Sequence, residues 1–196
     1  MIKKEKIFIL KTVKYGEADL ILTGLCASGA KKSFIARGAR KSKKRFSGGV
    51  LEPTHFVEIV FNEKPNASED PLYTITEAFL KNGFTGIRKD YDRLELAFYL
   101  IKVLDKLSVE GSEDSENNYN LLGNTLKCLE VSTQLKALKW HFEIKLLHSQ
   151  GVLTPELFIE EVIQTPIAHH EKLISLFDNY EGLENSLDHL MKSYIH

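Results

Sequence analysis

Between Leu20 and Leu51 the sequence holds no acidic residue, and the same stretch carries Lys31, Lys32, Arg37, Arg40, Lys41, Lys43, Lys44 and Arg45. Its densest part reads Ala36-Arg37-Gly38-Ala39-Arg40-Lys41-Ser42-Lys43-Lys44-Arg45-Phe46-Ser47-Gly48-Gly49. Cations set this closely among glycines and serines cannot all be paired inside a protein. The chemistry open to them is neutralisation of a row of phosphates with release of condensed counterions. Arg37, Arg40, Lys41, Lys43, Lys44 and Arg45 are the candidates for such contacts, and Phe46, closing the run, is the candidate for stacking on a base. An acidic protein partner, or a solvated and mobile loop, fits the same pattern.

Other arrangements carry less. Gly24 and Gly29 have phosphate-loop spacing, but Ala30 separates the second glycine from Lys31 and a strand follows where a helix is required. The seven histidines contain no HExxH, and His141 and His148, seven apart, lack the close spacing and third ligand of a zinc site. Glu160 and Glu161 are neighbours and point to different helix faces. No GxSxG and no Cys/His pairing is present, so no catalytic residue is assigned and no enzymatic activity is expected. The two cysteines, Cys26 and Cys128, are too few for a disulfide scaffold or a four-cysteine zinc site and read as small buried hydrophobes.

The net charge of -1 conceals a division. Residues 1–64 hold 14 Lys/Arg against 6 Asp/Glu, whereas residues 65–196 hold 12 against 21. Electrostatically opposite halves imply different partners for each. At 196 residues, 43% hydrophobic and 27% charged, the composition is that of a globular protein of one or two domains. No apolar run approaches the roughly 18 residues of a membrane span. The apolar block Ile7 to Leu10 is too short for a signal segment, so a cytoplasmic location is expected.

The elements that must position the basic run divide the chain in the same way. Lys6 to Tyr15, Leu20 to Cys26, Ser33 to Arg37, Leu51 to Phe61 and Leu72 to Ala78 read as strands, with turn chemistry at Gly16-Glu17-Ala18-Asp19 and Ala27-Ser28-Gly29. Five short strands in about 80 residues fit a small antiparallel barrel. Beyond a loop at Asn62 to Pro71 the period becomes helical. Leu94, Ala97, Phe98, Ile101 and Leu104 mark a helix with Asp90 as N-cap. Glu110 to Asn118 reads as an acidic connector. Leu121 to Leu129 continues the helical pattern. Gln134 to His148, apolar over most of its circumference, predicts a central buried helix ended by Gly151. Shorter helices are expected at Pro155–Ile163, Ile167–Tyr180 and Leu183–Tyr194.

Two stretches resemble a known family. Val13-Lys14-Tyr15-Gly16-Glu17-Ala18-Asp19-Leu20-Ile21-Leu22-Thr23 looks like the first hairpin of the bacterial recombination mediators of the RecO family. Ala36 to Phe46, followed by Gly48-Gly49-Val50-Leu51-Glu52-Pro53, resembles that family's basic signature. The resemblance is close over residues 1–64 and general over the remainder. It implies an α+β protein with an N-terminal OB-fold β-barrel (residues 1–80) and an all-helical C-terminal domain (residues 81–196). It further implies binding of single- and double-stranded DNA, strand annealing, contact with RecR and with the C-terminal tail of SSB, and help in loading RecA. Many members carry a four-cysteine zinc motif after a helix like Gln134–His148. Here that place reads Gly151-Val152-Leu153-Thr154-Pro155-Glu156, so no metal is expected. A tail ending in acidic residues and Pro-Phe needs an apolar pocket beside basic side chains, for which Lys136 and Lys139 beside Leu135 and Leu138, with Lys127 and Cys128, are the candidates. The alternative is an adaptor whose barrel binds an acidic protein instead of DNA.

Overall fold

A computed structural model of the chain describes residues 1–42, 44–63, 72–108, 116–153 and 157–195. Lys43, most of the loop expected at 62–71, most of the acidic connector and the Pro155 helix start lie outside the described residues. The chain divides into two compact units. One comprises Met1–Phe84 and Phe98–Asn120, the other Thr85–Ala97 and Leu121–His196.

The first unit contains a closed barrel of five strands, β1 (Ile2–Tyr15), β2 (Asp19–Cys26), β3 (Lys31–Ala36), β4 (Phe56–Asn62) and β5 (Leu72–Asn82), in the order β1-β2-β3-β5-β4. Four of the pairings are antiparallel, and β3 runs parallel to β5. This is the OB-type arrangement. Closure depends on β1, whose first half pairs with β4 and whose second half pairs with β2, with an irregularity between Ile9 and Lys11 where the strand turns from one neighbour to the other. Ile7, Ile9, Leu22, Phe34, Val57, Ile59, Phe61 and Ile75 fill the interior. Phe34, Phe61 and Tyr73 meet there with ring centroids 5.3–5.8 Å apart.

Several strand limits differ from the sequence reading. β1 begins at Ile2 because its lysine-rich start pairs with β4, from Ile2 against Asn62 onward. β4 begins at Phe56, since Leu51 to His55 is a turn in which Thr54 adopts a φ of 75°. Outside the barrel, Phe8 packs against Phe56 and Tyr119 at 4.7 and 5.0 Å.

The helices are α1 (Tyr91–Leu107), α2 (Glu116–Leu129), α3 (Leu135–Ser149), α4 (Leu157–Gln164), α5 (Ile174–Asp178) and α6 (Leu183–Ile195). Asp90 caps α1 as the sequence predicts, its carboxylate accepting from the Arg93 N–H at 3.0 Å. The buried face of α1 includes Leu96, Leu100 and Val103, whereas Phe98, assigned to the apolar stripe, is exposed. In the second unit α3 is the central helix, with Leu138, Phe142, Ile144, Leu146 and Leu147 fully buried among α4, α6 and the Ile167–Leu173 turn. Gly151 ends it with a φ of 71°. The single helix expected at Ile167–Tyr180 is instead a 3-10 stretch, Ile167–Leu173, broken at His169 and followed by the short α5.

His141 lies fully buried on α3. Its Nε2–H donates to the carbonyls of Val162 and Thr165 at 3.0 and 3.1 Å, which fixes the neutral tautomer. Burial, reinforced by the nearby Lys145 ammonium, lowers its pKa to about 4. The unfolded chain, with an ordinary imidazole near 6.5, binds the extra proton throughout the window between those values. Stability is therefore full above pH 6.5 and falls as the pH drops toward 4, by roughly 3 kcal/mol at most. Urea unfolding from pH 7 to 4 should give that slope for the wild type, and His141→Gln should flatten it.

Candidate nucleic-acid interface

The basic segment follows β3 and is held by the β1–β2 hairpin. Gly16, with a φ of 56°, opens the tight turn that ends at Asp19. From that turn three groups reach the basic segment. The Asp19 carboxylate accepts from the Gly38 N–H at 2.7 Å. The Ala18 carbonyl accepts from the Arg40 N–H at 2.9 Å. The Glu17 carbonyl accepts from the Arg40 guanidinium at 2.9 Å. The two stretches that carry the sequence resemblance are thus bonded to each other in space.

Further along, the segment is braced from within and from β5. The Arg45 guanidinium donates to the Arg37 carbonyl at 3.1 Å, and the Arg45 N–H to the Ser42 hydroxyl at 3.2 Å. The Ala78 N–H of β5 donates to the Arg45 carbonyl at 3.2 Å. The cations divide accordingly. Arg40 and Arg45 each use part of the guanidinium to hold backbone. Lys41 approaches Glu17 only at 4.0 Å, with both side chains strongly exposed, an interaction worth little in water. Arg37 and Lys44 are exposed and have no side-chain partner among the described residues. Lys31 and Lys32 are committed elsewhere, to Asp105 and to Glu5.

Phe46 departs from its sequence assignment. It is 4% exposed and packs into the barrel core with Ala39, Val50 and Leu51, closing one end of the barrel. A ring in that position has no face to offer a base. The run of arginine, serine and glycine around it conceals this, because only barrel closure brings β5 and the Val50–Leu51 turn over it. The Thr12 hydroxyl fastens the turn by donating to the Leu51 carbonyl at 2.8 Å. An open cleft of about 460 Å³ lies alongside, lined by Lys14, Leu20, Arg40, Phe46 and Leu51 among others.

In the helical unit, the lysines taken as surroundings of an apolar pocket are otherwise engaged. Lys136 pairs with Glu184 at 2.7 Å and sits over the Trp140 ring, Lys139 pairs with Asp188 at 3.4 Å, and Leu138 is in the core. Lys127 and Cys128 do line a cavity of about 480 Å³, together with Leu121, Lys145, Pro166 and Ile167. Lys145, its pKa lowered by burial, donates to the Ile163 carbonyl. Cys26 is buried inside the barrel and burial pushes its thiol up. With only these two cysteines in the chain, a four-cysteine zinc motif cannot be built from it.

A closed OB-type barrel with a cationic loop clamped to its first hairpin, followed by helices, defines the class of this protein. Residues 1–84 match the family model described as "Recombination protein O N terminal". Proteins named "DNA repair protein RecO" are similar over most of the chain. That of Syntrophus aciditrophicus is 34% identical, over 87% of this chain and 64% of its own length. That of Alkaliphilus metalliredigens is 32% identical, over 80% and 61%. That of Maridesulfovibrio salexigens is 29% identical, over 94% and 72%. The N-terminal region, residues 1–84, matches the RecO family model, and the chain spans about three-fifths of the length of the first two of these relatives.

The burial of Phe46 gives a stability test. Phe46→Ala should cost about 3–5 kcal/mol through lost burial and a cavity at the barrel end, whereas Phe46→Leu should cost far less. Thermal unfolding reads both. A ring that stacked on bases would instead lose DNA affinity in Phe46→Leu at unchanged stability.

Proposed function

We propose that this chain acts in recombinational DNA repair as a RecO-type mediator that binds single- and double-stranded DNA through the loop at 37–45. In this reading it promotes annealing of complementary strands and, with RecR, the loading of RecA on SSB-coated DNA. The barrel region, residues 1–80, holds nucleic acid, and the helical region, residues 81–196, serves protein partners. No covalent step, cofactor or catalytic residue enters. The observation that carries the reading is a cationic segment tied to the barrel at both ends while Arg37, Lys41 and Lys44 still face solvent. A partner with regularly spaced negative charge satisfies that arrangement, and the relatives, named DNA repair protein RecO, point to DNA.

The test is a titration by salt. Arg37→Ala, Lys41→Ala and Lys44→Ala together remove the cations with the least structural work, so the fold should persist. DNA affinity should fall, and the slope of log affinity against log salt should shrink by about 0.7–0.9 for each phosphate no longer neutralised. Unchanged single-stranded DNA binding by the triple variant at moderate salt would remove the loop from the site and favour an adaptor role.

For the SSB tail, the cavity bordered by Lys127 and Lys145 supports the assignment better than Lys136 and Lys139 do. Its apolar walls suit an aromatic terminus, and the ammonium groups suit carboxylates. Fluorescence anisotropy with a labelled peptide of acidic residues ending in Pro-Phe should detect binding to the full chain, weakened about tenfold or more by Lys127→Glu, a charge reversal at an exposed site. Binding indifferent to Lys127→Glu would place the tail elsewhere.

A further inference from the structure

Burial of Phe46 leaves the cationic loop without the aromatic face that a single-strand site ordinarily needs, because phosphate contacts alone do not distinguish separated bases from a duplex. Most other rings of the barrel unit are turned toward one another. Phe8, Phe56, Phe84 and Tyr119 form one group, and Phe34, Phe61 and Tyr73 another. Tyr15 belongs to neither. It is 56% exposed, and its side chain has no ring contact, hydrogen bond or ion pair among the described residues.

Its position ties it to the loop. Tyr15 is the last residue of β1 and stands directly opposite Asp19 in the β1–β2 ladder. Residues opposite one another in an antiparallel pair share a face, so the Tyr15 ring leaves the hairpin on the same side as the carboxylate that holds Gly38. Arg37, exposed, immediately precedes Gly38. Two residues back on the same face, Val13 is 47% exposed and stands opposite Ile21. An aromatic ring, an aliphatic neighbour and cations within a few residues of the same clamp form a surface that matches a nucleotide in both its parts. The base takes the apolar face and the phosphate takes the charge. Phe79 is comparably exposed, but it stands opposite Glu58, which is paired with Lys81, and not on the hairpin that clamps the loop.

We propose that Tyr15 is a base-stacking residue for single-stranded DNA, with Val13 extending the apolar surface and Arg37 and its neighbouring loop cations holding the flanking phosphates. The inference rests on the DNA-binding reading above and names the group that would discriminate single strands within it. In a duplex every base is already covered on both faces, so Tyr15 has nothing to stack on.

The experiment uses the full chain with Tyr15→Ala and Tyr15→Phe, and reads anisotropy of a labelled oligothymidylate and of a duplex of equal length at one salt concentration. Stacking on one base predicts an affinity loss of roughly 5- to 150-fold for Tyr15→Ala on the single strand. Duplex affinity and the salt slope should stay unchanged, and Tyr15→Phe should behave as wild type, since the ring and not the hydroxyl does the work. Because Tyr15 is exposed, neither variant should alter thermal unfolding. Three results would overturn the proposal: wild-type single-strand affinity in Tyr15→Ala, equal losses on single strand and duplex, or a Tyr15→Phe as weak as Tyr15→Ala. A wild-type-like Tyr15→Ala beside a weakened Arg37/Lys41/Lys44 variant would sink the role of Tyr15 alone. Failure of the wild type to bind either DNA would sink the parent reading with it.

Discussion

The hydrogen bond from the Gly38 N–H to the Asp19 carboxylate is the contact on which the arrangement of the basic loop depends. A run of cations in one short segment repels itself. At about 10 Å in water each like-charge pair costs only about 0.4 kcal/mol, less once salt screens it. A hydrogen bond to a charged acceptor contributes about 1.5–3 kcal/mol, and the two bonds to the Glu17 and Ala18 carbonyls add to it. The clamp therefore outweighs several such repulsions, and it uses only one carboxylate near the cations it orders. Asp19 also turns its charge toward a backbone N–H, which leaves the lysines and arginines unneutralised. The Gly-Glu-x-Asp turn and the basic run stand about 20 residues apart in the chain, and this contact gives a physical reason for the pair to occur together.

A clamp at one end would leave the rest of the loop free. The other end is held by burial. Phe46, Val50 and Leu51 close the barrel, and the Ala78 N–H takes the Arg45 carbonyl as its acceptor. Between these anchors the cations lie on a segment whose ends belong to the fold. Tying both ends to the fold shortens the stretch that binding would have to order, a general route to tighter association.

What the sequence made legible follows from the range of the interactions concerned. Period-two runs and the Gly16–Asp19 turn identified the strands, and Asp90 and Gly151 marked the helix ends, because alternation, caps and positive φ are local. The ends of β1 and β4 were not legible. Ile2 to Glu5 looks too polar for a strand until β4, more than 50 residues on, supplies its partners. Phe46 misled for the same reason, since its surroundings in sequence are polar and its surroundings in space are the barrel core. Lys136 and Lys139 read as solvent-facing cations beside leucines, but Glu184 and Asp188, which pair with them, come from α6, 48 and 49 residues later, and Lys139 also lies 3.6 Å from the buried Glu143 of its own helix. Phe98 joined the predicted stripe of α1 because its spacing from Leu94 and Ile101 is helical, and only the packing separates it from Leu96 and Leu100.

The net charge of -1 would discourage a nucleic-acid reading if charge acted as a total. It does not. At physiological ionic strength the screening length is about 8 Å, so a phosphate responds chiefly to the charges within about that distance and not to the total over the chain. Among the described residues, the acidic neighbours of the loop include Glu17, at the edge of ion-pair distance from Lys41, Asp19, committed to backbone, and Glu52, which lines the cleft beside Arg40. In the proposed reading the exposed lysines and arginines act on backbone charge and carry no base-edge code of their own, so they would recognise a polyanion without regard to sequence. Selectivity for separated strands over a duplex has to come from a group that contacts base faces, and within the barrel unit the hairpin that clamps the loop also presents its exposed ring, Tyr15, beside it.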